Sequence, residues 1–228
     1  MAVDDLVKVV DAVTRLLAVL AWPVLLVVVL VKFAPAFRDF FASLGEFTFK
    51  GGGFEATAKR KQEATAALVA ASVARPNADS TPQAAAQEAR EAATAVDQVD
   101  RRTLRKASAA WALWVDDRPD NNIYERQSLE ALGIRFVLAK STDEALDKIA
   151  TQRFDVVISD MGRPPDPQAG YTLLERLRES GNRTPFVIYA GSDAAEHRAE
   201  ARRRGAIGST NRANELFRYV LSALGRDA

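Results

Sequence analysis

The sequence predicts an α/β protein: a doubly wound, five-stranded parallel sheet of order 2-1-3-4-5, preceded by a transmembrane helix and a helical linker. Three observations carry that prediction. From Ala109 onward, short apolar runs alternate with amphipathic stretches, the rhythm of repeated βα units. Residues 16–31 (LLAVLAWPVLLVVVLV) contain no charge. Between these two regions the composition turns to alanine and charged residues, as in exposed helices. The chain therefore divides into residues 1–34, an N-terminal segment with the membrane helix; 35–108, a juxtamembrane and linker region; and 109–228, the α/β domain.

Composition narrows the chemistry. The 228 residues carry a net charge of +1, so no global basic field points to nucleic acid. Cysteine is absent, which excludes disulfides, thiol catalysis and Cys-ligated zinc. The single histidine, His197, cannot build a multi-His site, so any metal must be held by oxygen. It lies on a very polar stretch and is expected to be exposed.

The run Leu16–Val31, extended by Ala12–Thr14 and by Phe33 and Ala34, is long enough to cross a hydrocarbon core, with Arg15 and Lys32 snorkelling to the interfaces. A cleavable signal is the competing reading, because Ala34-Pro35-Ala36 fits a cleavage site. Asp4, Asp5 and Asp11 speak against it. Lys32, Arg38, Lys50 and Lys59-Arg60-Lys61 outnumber Lys8 and Arg15, which favours a cytoplasmic C-terminus. The expectation is a single-pass bacterial inner-membrane protein with its α/β domain in the cytoplasm.

The linker follows in order. Phe33, Phe37, Phe40, Phe41 and Leu44 recur at helical spacing, for an interfacial helix or one packed on a partner subunit. Phe47 and Phe49 alternate as in a short strand, which Gly51-Gly52-Gly53 ends. The GK[ST] continuation of a phosphate loop is missing. So small a unit suggests homo-oligomerisation through the juxtamembrane region. Residues 54–75 and 83–107 read as exposed helices, spacers around a linker at 75–82. The second could also be a coiled coil, weak because its apolar positions are mostly alanine.

In the α/β half, strands are expected at 109–115, 135–138, 155–158 and 185–189, with a last one opening at Ala206 and Ile207. Helices are expected at 121–132, 141–151, 171–180, 193–204 and 214–224. Gly133 closes the first helix. Ser141 with Glu144 forms a capping box on the second. Asp120-Asn121-Asn122 reads as a helix cap, and Arg163-Pro164-Pro165-Asp166-Pro167 as a stiff loop overhanging the strand ends. Trp111 and Trp114 read as core or seam residues.

Function in such sheets sits at the carboxyl ends of the strands. Strand one ends at Asp116-Asp117 and strand three at Asp160. In order 2-1-3-4-5 these strands are neighbours, so three carboxylates converge beside the switch point. Like charges this close need a cation, and oxygen ligands select Mg²⁺, Mn²⁺ or Ca²⁺.

These residues resemble the receiver domain of two-component response regulators. VDD ending strand one and ISD ending strand three match its acidic pair and phosphoacceptor; Pro164, Gly170 and Gly205-Ala206 match further positions in the same order. The resemblance covers about half the chain. It implies Asp160 as phosphoacceptor and Mg²⁺ held by Asp116, Asp117, Asp160 and the Gly162 carbonyl. Departures are specific. The hydroxyl expected five residues after the strand-four proline is replaced by Ala190, followed by Gly191 and Ser192. The lysine after the Gly-Ala pair is Arg212, the proline after it Ala213, and the strand-five aromatic Ser209. Arg212 could pair with phosphate bidentately, and Ser192 could supply the hydroxyl if its loop folds back.

Two readings follow: a membrane-anchored signalling protein whose Asp160 accepts phosphate with Mg²⁺, or a pseudo-receiver that binds a protein or ligand without phosphorylation and controls a membrane assembly. Neither is an enzyme beyond self-phosphorylation from a phosphodonor. A metal-dependent hydrolase lacks a positioned base. Expected partners are the membrane and a protein kinase or effector, with no nucleic acid.

Overall fold

Five parallel strands form one sheet in the order β2-β1-β3-β4-β5: β1 Trp111–Val115, β2 Arg135–Ala139, β3 Val156–Ser159, β4 Phe186–Tyr189 and β5 Gly208–Thr210. They come from a computed structural model that describes residues 52–74, 82–192 and 194–225. The sequences explain the order. VVIS and FVIY are buried throughout, as central strands covered on both faces require, while RFVLA of edge strand β2 is largely part-exposed. Alternation sends Ala112 and Trp114 of β1 into one core and Leu113 and Val115 into the other.

Helices α5 (Thr142–Thr151), α6 (Ala169–Glu179) and α7 (Ala195–Arg203) cover one face. Helices α4 (Ile123–Glu130) and α8 (Ala213–Gly225) cover the other. Ser141 caps α5 by accepting the Glu144 N–H at 3.1 Å, while Glu144 reaches back to the Lys140 N–H at 2.7 Å. The sheet and its order match the sequence expectation. Strand and helix ends differ by at most two residues, as fraying ends do.

The second core is larger than expected. Helix α1 (Gly52–Ala74) and helix α2 (Pro82–Asp97) precede a third, α3 (Arg101–Ala109). The continuous helix expected over 83–107 breaks at Gln98–Asp100, where the Asp100 carboxylate accepts the Thr103 N–H at 2.7 Å and starts α3. Nor are these helices exposed spacers. Ala64, Leu68 and Ala71 of α1, and Ala92, Ala95 and Val96 of α2, are buried with Val99, Leu104 and Ala107. They join Trp114, Leu216, Phe217 and Val220 in one cluster. Their three- and four-residue spacing makes a stripe, and alanine in that stripe lets helix axes approach closely. The α/β domain therefore belongs to a single unit, Ala56–Ala228. Of the other unit, Met1–Glu55, only the first turn of α1 is described.

The inner-membrane localisation is corrected. No helix among the described residues is long and apolar enough to cross a membrane. The longest, α1, carries Glu55, Lys59, Arg60, Lys61 and Glu63, whose desolvation would be prohibitive. The run 16–31, the phenylalanine-rich helix and the strand-glycine segment lie outside the described residues.

Candidate functional site

The acids sit one step beyond the sheet. Asp116 N–H donates to Ala139 O and Asp160 N–H to Val115 O, each at 2.9 Å, so the ladder runs to the base of the site. Carboxylate oxygens of Asp116, Asp117 and Asp160 all lie within 4.8 Å of one another. They line an open cleft with Arg118, Asn121, Asn122, Gly162, Pro164, Tyr189, Ala190 and Gly191. Asp116 is buried, and Asp117 and Asp160 are half-buried.

Each acid is held separately. Asp116 accepts the Arg118 N–H at 2.8 Å on one oxygen and the Asn122 amide on the other. Asp117 stands 3.7 Å from the exposed Arg118 guanidinium. Asp160 Oδ1 accepts the Met161 N–H at 2.7 Å, which fixes the carboxylate plane. Burial pushes the Asp160 carboxyl above its ordinary value, and the Asp116 and Asp117 charges push the same way. The Met161 N–H and Arg163 oppose them. Three carboxylates in an oxygen-only set fit a hard divalent cation, and Gly162 lines the same cleft.

Gly170 allows the site to close. A Cβ there would meet the Asp160 carbonyl at 2.8 Å, and its N–H donates to Met161 O at 2.8 Å, so α6 begins directly against the end of β3. Gly170 was legible in the sequence. Two other residues were not. Asn122 belongs to a 3₁₀ turn, Pro119–Asn122, and makes no side-chain cap; its amide holds Asp116 instead. Arg163 is not simply part of a stiff overhanging loop, for the residue is only 3% exposed. Burial pulls its guanidinium below the ordinary value while Asp160, Asp116, Asp166 and Asp117 hold it up. The sequence offered only a cation three residues past Asp160; in the structure its loop is made tight by reciprocal Arg163–Asp166 backbone bonds and by Asp166 accepting from Thr172 Oγ1 at 2.6 Å.

The β4 and β5 ends differ. Ala190, buried, offers the cleft no hydroxyl. Ser192 Oγ is 3.0 Å from His197 Nδ1 and accepts the Ala194 N–H at 3.4 Å; Ser192 does not line the cleft, and His197 is exposed. Arg212 points to α2, 3.2 Å from Glu91 and 3.9 Å from Glu88, with Glu215 at 3.8 Å. Asn214 donates to the same Glu91 oxygen at 2.9 Å. Ser209 Oγ is buried without a hydrogen-bond partner. Tyr189 lines the cleft while its hydroxyl donates to Glu125 at 2.8 Å. The structure therefore brings Asp116, Asp117, Asp160 and Gly162 together, and places Ser192 and Arg212 outside the cleft lining.

Residues 112–211 match the response regulator receiver domain. No curated protein matches the chain. Solved structures similar to it include the receiver domain of the Francisella response regulator 1452, 27% identical, covering 51% of this chain and 98% of that one with a TM-score of 0.47. The chemotaxis response regulator CheY4 of Vibrio cholerae is 26% identical over 50% of this chain and 98% of that one, at 0.44. A putative response regulator from Chloroflexus aurantiacus is 24% identical over 51% and 98%, at 0.46.

Proposed function

We propose that this receiver domain takes Mg²⁺ on Asp116, Asp117, Asp160 and the Gly162 carbonyl, and accepts a phosphoryl group on Asp160. The observation that carries the reading is the convergence of three carboxylates within 4.8 Å at neighbouring strand ends. With Oδ1 engaged by Met161, Oδ2 of Asp160 is free to attack phosphorus in line. A new P–O bond forms as the bond from phosphorus to the donor's leaving group breaks, and the leaving group departs with the electron pair. Mg²⁺ supplies charge neutralisation for the transferring phosphoryl oxygens. Asn122 and the Arg118 N–H hold Asp116 in place, and Gly170 keeps α6 tight against the acceptor. The partners this implies are a protein phosphodonor and a protein effector.

A second reading is a binding module that is not phosphorylated. Ala190 in the cleft and Arg212 committed to Glu88 and Glu91 favour it, because neither position offers a hydroxyl or a cation to an incoming phosphoryl group. Beryllofluoride, a phosphoryl mimic, separates the two. Under the first reading it raises the melting temperature only with Mg²⁺, and Asp160→Ala abolishes the effect. No response to beryllofluoride with millimolar Mg²⁺ would favour the binding module.

A further inference from the structure

We propose that Arg163 is a resident countercharge of the acid site: a positioning residue that ties the ends of β1 and β3 together and, by its fixed positive charge, weakens the site's hold on a divalent cation. The inference rests on the divalent-cation reading above.

Arg163 lies in an exposed, proline-rich loop, yet its own side chain folds inward. Nη1 donates to Ser159 Oγ at 2.7 Å and to the Asp160 carbonyl at 2.6 Å, with Val115 O at 3.5 Å. Nη2 donates to Thr142 Oγ1 at 3.1 Å and to Ala169 O at 3.0 Å. The fork thus joins β1, β3 and the starts of α5 and α6, all beneath the acids. Its Nε is buried without a partner. Among the described residues none of its acceptors is a carboxylate, so no direct ion pair cancels the charge there.

A buried guanidinium without a paired carboxylate is costly unless the surrounding field is negative. Here the charges acting on it are Asp160, Asp116, Asp166 and Asp117. The converse also holds: a fixed cation under the three cleft acids relieves their mutual repulsion. An entering divalent cation meets three negative charges and one positive one that cannot move away, since five hydrogen bonds hold it. Anchoring and charge therefore act in opposite directions on cation affinity. Loosening the site weakens binding, and removing the charge strengthens it.

The test is calorimetric Mg²⁺ titration of the full chain as wild type, Arg163→Gln, Arg163→Met and Arg163→Lys, at low and high salt, with melting temperature as a check on folding. The glutamine variant keeps part of the hydrogen bonding and guards against a methionine variant that does not fold. Both neutral variants should bind Mg²⁺ about fivefold or more tightly at low salt, with a smaller gain at high salt. Arg163→Lys should stay within about twofold of wild type despite a lower melting temperature. A neutral variant that binds no more tightly than wild type, or lysine and glutamine variants that behave alike, overturns the proposal. Should wild type bind no Mg²⁺ while Arg163→Gln does, the countercharge stands and the cation reading of the native site falls; should neither bind, both fall.

Discussion

The ends of β1 and β3 and the ends of β4 and β5 lie along one edge of the same sheet, and they are built for different tasks. At β1 and β3 the carboxylates of Asp116 and Asp160 each accept a backbone N–H, a glycine admits α6, and a buried arginine ties the strands together. At β4 and β5 the corresponding positions bring little polar chemistry to the cleft. Ala190 lines it without a side-chain hydroxyl, Ser192 pairs with His197, and Arg212 and Asn214 converge on Glu91 of α2. A site that binds and a site that reports binding are separable. A conformational response requires contacts that differ between two states, and under the proposed reading the candidate contacts lie at the β1 and β3 ends.

The comparison breaks most visibly at the helical layer that covers the β5–α8 side. Leu68 is fully buried among α1, α2 and α8. Leu68→Ala should therefore cost about 2–5 kcal/mol in chemical denaturation, the ordinary price of a core cavity. A loss of a few tenths would mean that α1 is a loose appendage to this layer.

The next largest effect is at Asp160. Without metal its carboxyl is raised above 3.8, chiefly by burial, so the native state binds that proton more tightly than the unfolded chain does. Its contribution to stability is present below the unfolded value and is lost as pH rises through the folded one. Asp160→Asn, neutral at every pH, should accordingly be more stable than wild type at pH 7 without metal, and the difference should vanish toward acid pH. With Mg²⁺ the order reverses: wild type gains about 2.7 kcal/mol at a hundredfold excess over its dissociation constant, and the variant does not. Thermal melts across pH, with and without Mg²⁺, check both signs.

Asn122→Ala should have the smallest effect, about 1–2 kcal/mol, since it strips one donor from buried Asp116. It should also weaken Mg²⁺ binding. Unchanged Mg²⁺ binding would show that Asp116 orients itself without help.

Much of this was legible in the chain. Uninterrupted apolar runs such as VVIS announce central parallel strands, and acids immediately after them announce the site, because strand ends and sheet order are local properties. Arg163 was not legible: a long side chain can point outward or inward, and which it does depends on acceptors far apart in the chain, the Asp160 and Ala169 carbonyls and the Thr142 hydroxyl. Asn122 looked like a cap because Asn commonly is one, until Pro119 made the turn 3₁₀ and freed its amide for Asp116. The helices over 52–109 looked like spacers because alanine reads as neutral; only the assembled face of α8 shows that small side chains were needed there.

Amide exchange with and without beryllofluoride and Mg²⁺ tests the separation of binding from response most directly. The account predicts added protection at Asp116–Arg118 and Asp160–Gly162, and little change from Tyr189 to Arg212. Strong protection changes along Tyr189–Arg212 would contradict it and show a working switch at the second end.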